Sequence, residues 1–181
     1  MMPYPNMDLA QPLGFDEHVL QSYLAQLYLR KSLNQIHGML YNPENPPTDG
    51  TIHHIQDRLL DMRWVPPQYK FSEEDPPAGD ILAARLRAKY WGAQVITYRP
   101  YIRGILEFNF NKSMMAHQST MPEHEYREVV APVIGPNNEI LPHAIEYASK
   151  GVRGLIESTR AFHGLKEKRF IITNVFGTAH A

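Results

Sequence analysis

The sequence predicts an all-α domain, and three observations carry that prediction. Apolar residues recur at steps of three and four over long stretches, the pattern of helices with one buried face. Strand-like alternation is almost absent; RFIITNVF, from Arg169 to Phe176, is the one β-branched run and is too short to change the class. The 15 prolines exceed the ordinary share of about 5%, and six of them form the pairs Pro46-Pro47, Pro66-Pro67 and Pro76-Pro77. A proline fixes φ and lacks an amide donor, so it marks helix starts and the gaps between helices. Read this way, the chain has a flexible segment over 1–14 and then a helical domain over 15–181 with four long segments, expected to pack antiparallel.

The first segment runs from Phe15 to Tyr41. Leu29, Leu33, Ile36 and Leu40 form one apolar row, and Leu20, Leu24 and Leu27 a second, so the helix has a wide apolar face. Asp16 is placed to cap it. Gly38 weakens it by about 1 kcal/mol against Ala, which points to close approach of another helix. The second segment, GTIHHIQDRLLDMRW, carries Ile52, Ile55, Leu59 and Met62 at helical spacing and stops at Val65-Pro66-Pro67.

In the third segment Ile81, Ala84, Ala88, Trp91, Val95, Tyr98, Ile102 and Ile105 step by three and four without a break. Asp75-Pro76 supplies a cap and a first-turn proline. Pro100 is expected to kink the helix near Ile96 or to end it. A loop follows over about 109–138. In the fourth segment Leu141, Ile145, Ala148, Val152, Leu155, Thr159 and Phe162 form the expected buried row, with Pro142 in the first turn and Gly164 as the C-terminal stop.

Composition bounds the function. Of 181 residues, 43% are hydrophobic and 20% charged, which suits a globular chain with a sizeable core. The formal net charge is −1, so attraction to nucleic acid or anionic lipid must come from a local patch. No run of about 18 apolar residues is present, which excludes an apolar helical span. The segment MMPYPNMDLAQPLG lacks the basic and apolar regions of a secretory signal. There is no cysteine, which excludes disulfides, cysteine-ligated metal and a thiol nucleophile.

The stretch RLRAKYWGAQVITYRPYIRG, Arg85 to Gly104, holds five cations and four aromatics. Arg85, Lys89, Arg99 and Arg103 fall within about 80° on a helical wheel. A phosphate-tracking stripe would look like this, but a solvated or ion-paired flank of a core helix is the commoner case. Tyr90 and Trp91 begin a row that Gln94 interrupts, so no base-stacking ladder is expected. Trp91 and Tyr98 belong to the apolar row and to the core.

His53 and His54 are adjacent and diverge on a helix, and His117, Glu123, His124 and Glu125 fall in the predicted loop. No HExxH, no G-x-S-x-G and no phosphate-cradling glycine loop occurs. Glu73-Glu74 reads as a solvated loop. No metal, no cofactor and no catalytic residue is assigned.

The order of motifs carries a family resemblance. SYLAQLYLRKSLNQIHGMLY, LLDMRWVPPQYKF, ARLRAKYWGAQVITYRPYI, STRAFHGL and RFIITNVFGTAHA resemble, in sequence, the regulatory (middle homology) region of fungal transcription factors of the zinc-binuclear-cluster type. The matching positions are Arg30, Asn34 and His37 in the first helix and Trp64 before the proline-marked turn. Arg87, Lys89, Tyr90, Arg99 and Pro100 match in the third. The resemblance covers roughly Phe15 to Ala181. It implies an all-α, non-catalytic regulatory domain in the nucleus. Its partners would be proteins of the transcription machinery or a second copy, with a small effector as a further route.

Such factors also carry a six-cysteine cluster that holds two zinc ions and contacts DNA. That module is not in this sequence, so zinc and direct DNA binding are expected only of a parent protein. Because the family's regulatory region continues beyond a segment like FGTAHA, the resemblance implies a domain incomplete at its C-terminus. On residues alone a second reading stands beside it: a helical small-molecule-binding domain or enzyme with a pocket near Trp91, Tyr98 and Met114-Met115.

Overall fold

The computed structural model describes residues 14, 16–41, 48–60, 65–116 and 133–165. The described residues form four helices, α1 (Glu17–Leu40), α2 (Asp49–Leu60), α3 (Ile81–Ala116) and α4 (Pro142–Arg160), with 3-10 turns at Pro67–Tyr69 and His163–Leu165. The chain is all-α, as its periodicity predicts. Among the described residues the only extended pairing is one antiparallel bridge between Ile134 and Ile140.

Helix α1 starts at Asp16, whose carboxylate accepts from the amides of His18 and Val19 at 2.8 and 3.3 Å. Its row of Leu29, Ile36 and Leu40 is buried, as predicted, with Leu33 packed beside it. Gly38 has nothing within 4 Å of where a Cβ would sit. Among the described residues no helix approaches it, contrary to expectation. In α2, Ile52, Ile55 and Leu59 are fully buried; Met62 and Trp64 lie outside the described residues.

Helix α3 is the centre of the molecule. From Ala84 to Tyr98 it buries residues on most of its circumference, including Leu86, Tyr90, Ala93, Gln94 and Thr97. Its cap differs from the prediction. Asp80, not Asp75, accepts the amide of Ala83 at 2.8 Å. Asp75 instead accepts the amide of Ser72 at 2.9 Å and closes the turn before the helix.

Pro100 does not end the helix; α3 runs through it to Ala116, so residues 109–116 of the expected loop are helical. Pro100 cannot donate to the carbonyl of Ile96. The half-buried Tyr41 hydroxyl lies 3.5 Å from that carbonyl and faces it from the end of α1.

Helices α3 and α4 pack antiparallel. Tyr147 stands on Tyr101 at 4.9 Å between ring centroids and stacks on Tyr98 at 5.6 Å. One turn on, Gly151 faces Ile102 and Tyr98, and Gly154 faces Val95 and the carbonyl of Trp91. A Cβ on Gly151 would come within 2.7 Å of Ile102 Cδ1, so the helices approach by leaving that atom out.

The buried face of α4 is therefore Ala144, Tyr147, Gly151, Gly154 and Ser158. This corrects the predicted row. Ile145, Val152 and Leu155 are 46–52% exposed and face away from α3. Small residues win the interface because they let two backbones approach.

Not every pair is antiparallel as expected. His18 meets Asp80, Gln26 meets Lys89 and Tyr41 meets Ile96, so α1 and α3 progress in the same sense. Helix α4 ends at Arg160, before the predicted stop. Gly164 sits in the following turn, against the backbone of Pro77 and Ala78, where a Cβ would collide with both carbonyls.

Candidate functional site

A cleft of about 260 Å³ opens where the 71–77 segment crosses α3 beside the C-terminal end of α4. Phe71, Glu73, Arg87, Trp91, Arg153 and Arg160 line it. Its floor is built from α3. Tyr90 lies under Phe71 with rings nearly perpendicular and 5.2 Å apart, and Trp91 follows at 5.4 Å from Tyr90.

Glu73 ties the wall to this floor. Its Oε1 accepts from the Tyr90 hydroxyl at 2.8 Å and from Gln94 Nε2 at 2.7 Å. Its other oxygen lies 3.6 Å from Arg153, whose guanidinium stands 5.5 Å over the Trp91 ring. Burial and the neighbouring Glu73 carboxylate push the Tyr90 hydroxyl well above the usual tyrosine range.

Arg87 holds the same segment one turn earlier. It donates to the carbonyl of Pro76 at 2.6 Å, lies 4.0 Å from Asp75 and stands 4.9 Å over the Phe71 ring. Burial lowers its pKa, and Asp75 partly offsets this. Arg160 pairs with Glu157 at 2.8 Å. Ser72 donates to Glu74, which holds that exposed carboxyl below the usual range and makes it a weaker base. The charges of the cleft are thus engaged with one another, in a geometry that fixes a loop on a helix.

The predicted site residues divide by role. Arg87 lines the cleft, and Tyr90 is buried beneath it, where it holds Glu73. Lys89 lies on another side of α3, where its ammonium donates to Gln26 of α1 at 2.6 Å. Burial, then Arg85 and Arg30, lowers its pKa. Arg30, Asn34, His37 and Arg99 are exposed, and His37 stacks on Tyr41 at 4.9 Å. Pro100 is inside α3. Trp64 lies outside the described residues.

Other expectations are decided by contacts. Arg103 pairs with Glu107 at 2.5 Å, while Arg85 and Arg99 extend to solvent, so the cationic stripe is part paired and part open. Tyr98 is 1% exposed and packs on Tyr147, so it lines no pocket with Trp91. The side chains of Met114 and Met115 lie outside the described ones. His53 meets the Tyr147 hydroxyl at 3.3 Å, and no group of three metal-ligating side chains occurs among the described residues. His117, Glu123, His124 and Glu125 are not among them. No described helix is long and apolar enough to cross a membrane.

Sequence reasoning misses Glu73 and Arg153, which line the cleft, and Gln94, which is buried beneath it and holds Glu73. Glu73 reads as solvated because its partners stand 17 and 21 positions further on. The usable signal is Gln94, a polar residue one turn after Tyr90 in a helix otherwise buried on that side. Comparison with protein-family models, with curated proteins and with solved structures finds no match to this chain.

Proposed function

We propose that this chain is a non-catalytic regulatory domain that acts in transcriptional control through protein contacts, similar to the regulatory region of fungal zinc-binuclear-cluster factors. One observation supports the reading above others: the residues that carry the resemblance sort into a scaffold set and an outward set. Arg87 and Tyr90 spend their polar groups on holding the 71–77 segment to α3. Arg30, Asn34, His37 and Arg99 point outward from α1 and α3. A helix set with an internally paired cleft and an outward polar strip suits recognition of a partner better than turnover of a substrate.

Nuclear action and partners from the transcription machinery belong to this proposal. So does a small effector, for which the cleft beside Arg153 and Arg160 is the favoured place. The test tethers the chain to a heterologous DNA-binding module upstream of a reporter in a fungal cell. Reporter output should shift, and replacing Arg30, Asn34 and His37 together by Ala should reduce the shift while helicity is unchanged. Output equal to that of the module alone would overturn the reading, as would turnover of a small molecule by the pure protein.

A further inference from the structure

Charge is distributed unevenly over the helices. Helices α1 and α3 carry eight of the 18 Lys and Arg residues but only two of the 19 Asp and Glu, Glu17 and Glu107. Several of these cations converge on the seam between the two helices. Lys89 reaches across it to Gln26 at 2.6 Å. Arg30 is one turn beyond Gln26 on α1, and Arg85 is one turn before Lys89 on α3, so both lie beside that bridge. Further along, Arg99 lies near Tyr41, on which His37 stacks.

No carboxylate among the described residues forms an ion pair with Arg30, Arg85, Lys89 or Arg99. Like charges held together without a counterion repel, and the lowered pKa of Lys89 records that repulsion in part. The α1 row continues toward its N-terminus through Tyr23 and Val19, which are 54% and 48% exposed. The seam thus offers cations and an apolar end on one surface.

We propose that this seam docks an acidic segment of a partner protein, one that sets carboxylates on Arg30, Arg85, Lys89 and Arg99 and an apolar side chain on Tyr23 and Val19. The proposal rests on the reading that the chain acts through protein contacts, and it names the chemistry of the contact. Arginine forks match carboxylates with two parallel hydrogen bonds. A nucleic-acid strand fits less well: Tyr90 and Trp91 are 0% and 5% exposed and offer no stacking platform, and the acid-rich remainder of the chain repels a long polyanion. Arg85 to Arg99 spans about 21 Å of helix, the reach of six or seven extended residues.

The experiment measures fluorescence anisotropy of a labelled, unstructured peptide rich in Asp, Glu and Leu, added to the full chain at low salt. Saturable binding that weakens as salt is raised is the expected result. The double variant Arg30→Glu with Arg85→Glu should weaken binding by about tenfold or more, with circular dichroism unchanged. Lys112→Glu, more than three turns beyond Arg99 on α3, should leave it alone. No binding of the peptide overturns the proposal, as does an equal loss with Lys112→Glu. Tighter binding of duplex DNA than of the peptide, lost in the same double variant, overturns it in favour of a nucleic-acid surface. If the tethered reporter still responds while the peptide fails to bind, the docking proposal falls and the regulatory reading stands.

Discussion

The Tyr90 hydroxyl donates to Glu73 Oε1 at 2.8 Å, and this bond joins the 71–77 segment to the N-terminal third of the central helix. Gln94 donates to the same oxygen at 2.7 Å and to the Tyr90 oxygen at 3.0 Å, so one carboxylate closes a small network against a buried ring. Such a network stabilises when every member is satisfied and becomes costly when one is removed. Arg153 joins it from α4 and brings the third element to the same point.

Glu73→Ala should therefore destabilise the fold by about 2 kcal/mol, because it leaves two partly buried donors without their acceptor. Glu74→Ala, one position on and exposed, should change stability by less than about 0.5 kcal/mol. Urea unfolding of both variants followed by circular dichroism measures the difference. Equal effects would show that Glu73 is as solvated as its neighbour.

The glycines make a second contrast. Gly38 stands in open space inside α1, so Gly38→Ala should stabilise by about 0.5–1 kcal/mol through lower backbone entropy in the unfolded chain. Gly151→Ala places a methyl against Ile102 and Tyr98 and should destabilise by about 1–3 kcal/mol. Shifts of Tm in opposite directions are the expected readout. A rise for both would mean that α3 and α4 do not approach as closely as Gly151 implies.

The same interface shows where reading from sequence succeeds and where it stops. The α1 row and the α2 row are legible because large apolar residues there do face the core: Leu29, Leu40, Ile52 and Ile55 are 0–1% exposed. Trp91 and Tyr98 are legible for the same reason. In α4 the larger residues lie about 100° from the interface, and a periodicity count follows size. Interhelical distance depends on what is missing at Gly151 and Gly154, which hydrophobicity does not record. The site is half legible: Arg87 in the cleft wall and Tyr90 beneath it come from local pattern, whereas Glu73 and Arg153 acquire their roles through long-range pairing.

The register of α4 can be tested directly. Val152→Ser and Leu155→Gln lie on the half-exposed row and should each alter stability by less than about 0.5 kcal/mol. Tyr147→Ala removes a 4%-exposed ring that touches Tyr98 and Tyr101 and should cost about 3–5 kcal/mol. If Val152→Ser proved as damaging as Tyr147→Ala, the predicted row and not the observed face would be the buried one.

Alkaline pH probes the buried hydroxyls. Burial raises the pKa of Tyr90 and of Tyr98 above the ordinary 10.0, with Glu73 adding to the first and Tyr147 to the second. The folded chain then holds these protons more tightly than the unfolded chain. Their contribution is complete below pH about 10 and is lost above it, at about 1.4 kcal/mol per pH unit for each tyrosine kept protonated. Lys89 acts with the opposite sign, since its lowered pKa makes stability rise with pH until the unfolded lysine has titrated, near pH 10.4. Above that point only the tyrosine effect remains. Urea midpoints taken from pH about 8 to 11.5 should fall at the alkaline end, with tyrosinate absorbance for the buried rings appearing together with unfolding. Tyr90→Phe should make that decline shallower by about 1.4 kcal/mol per pH unit. An unchanged slope in Tyr90→Phe would mean that this hydroxyl titrates alike in both states, and the network around Glu73 would lose its central bond.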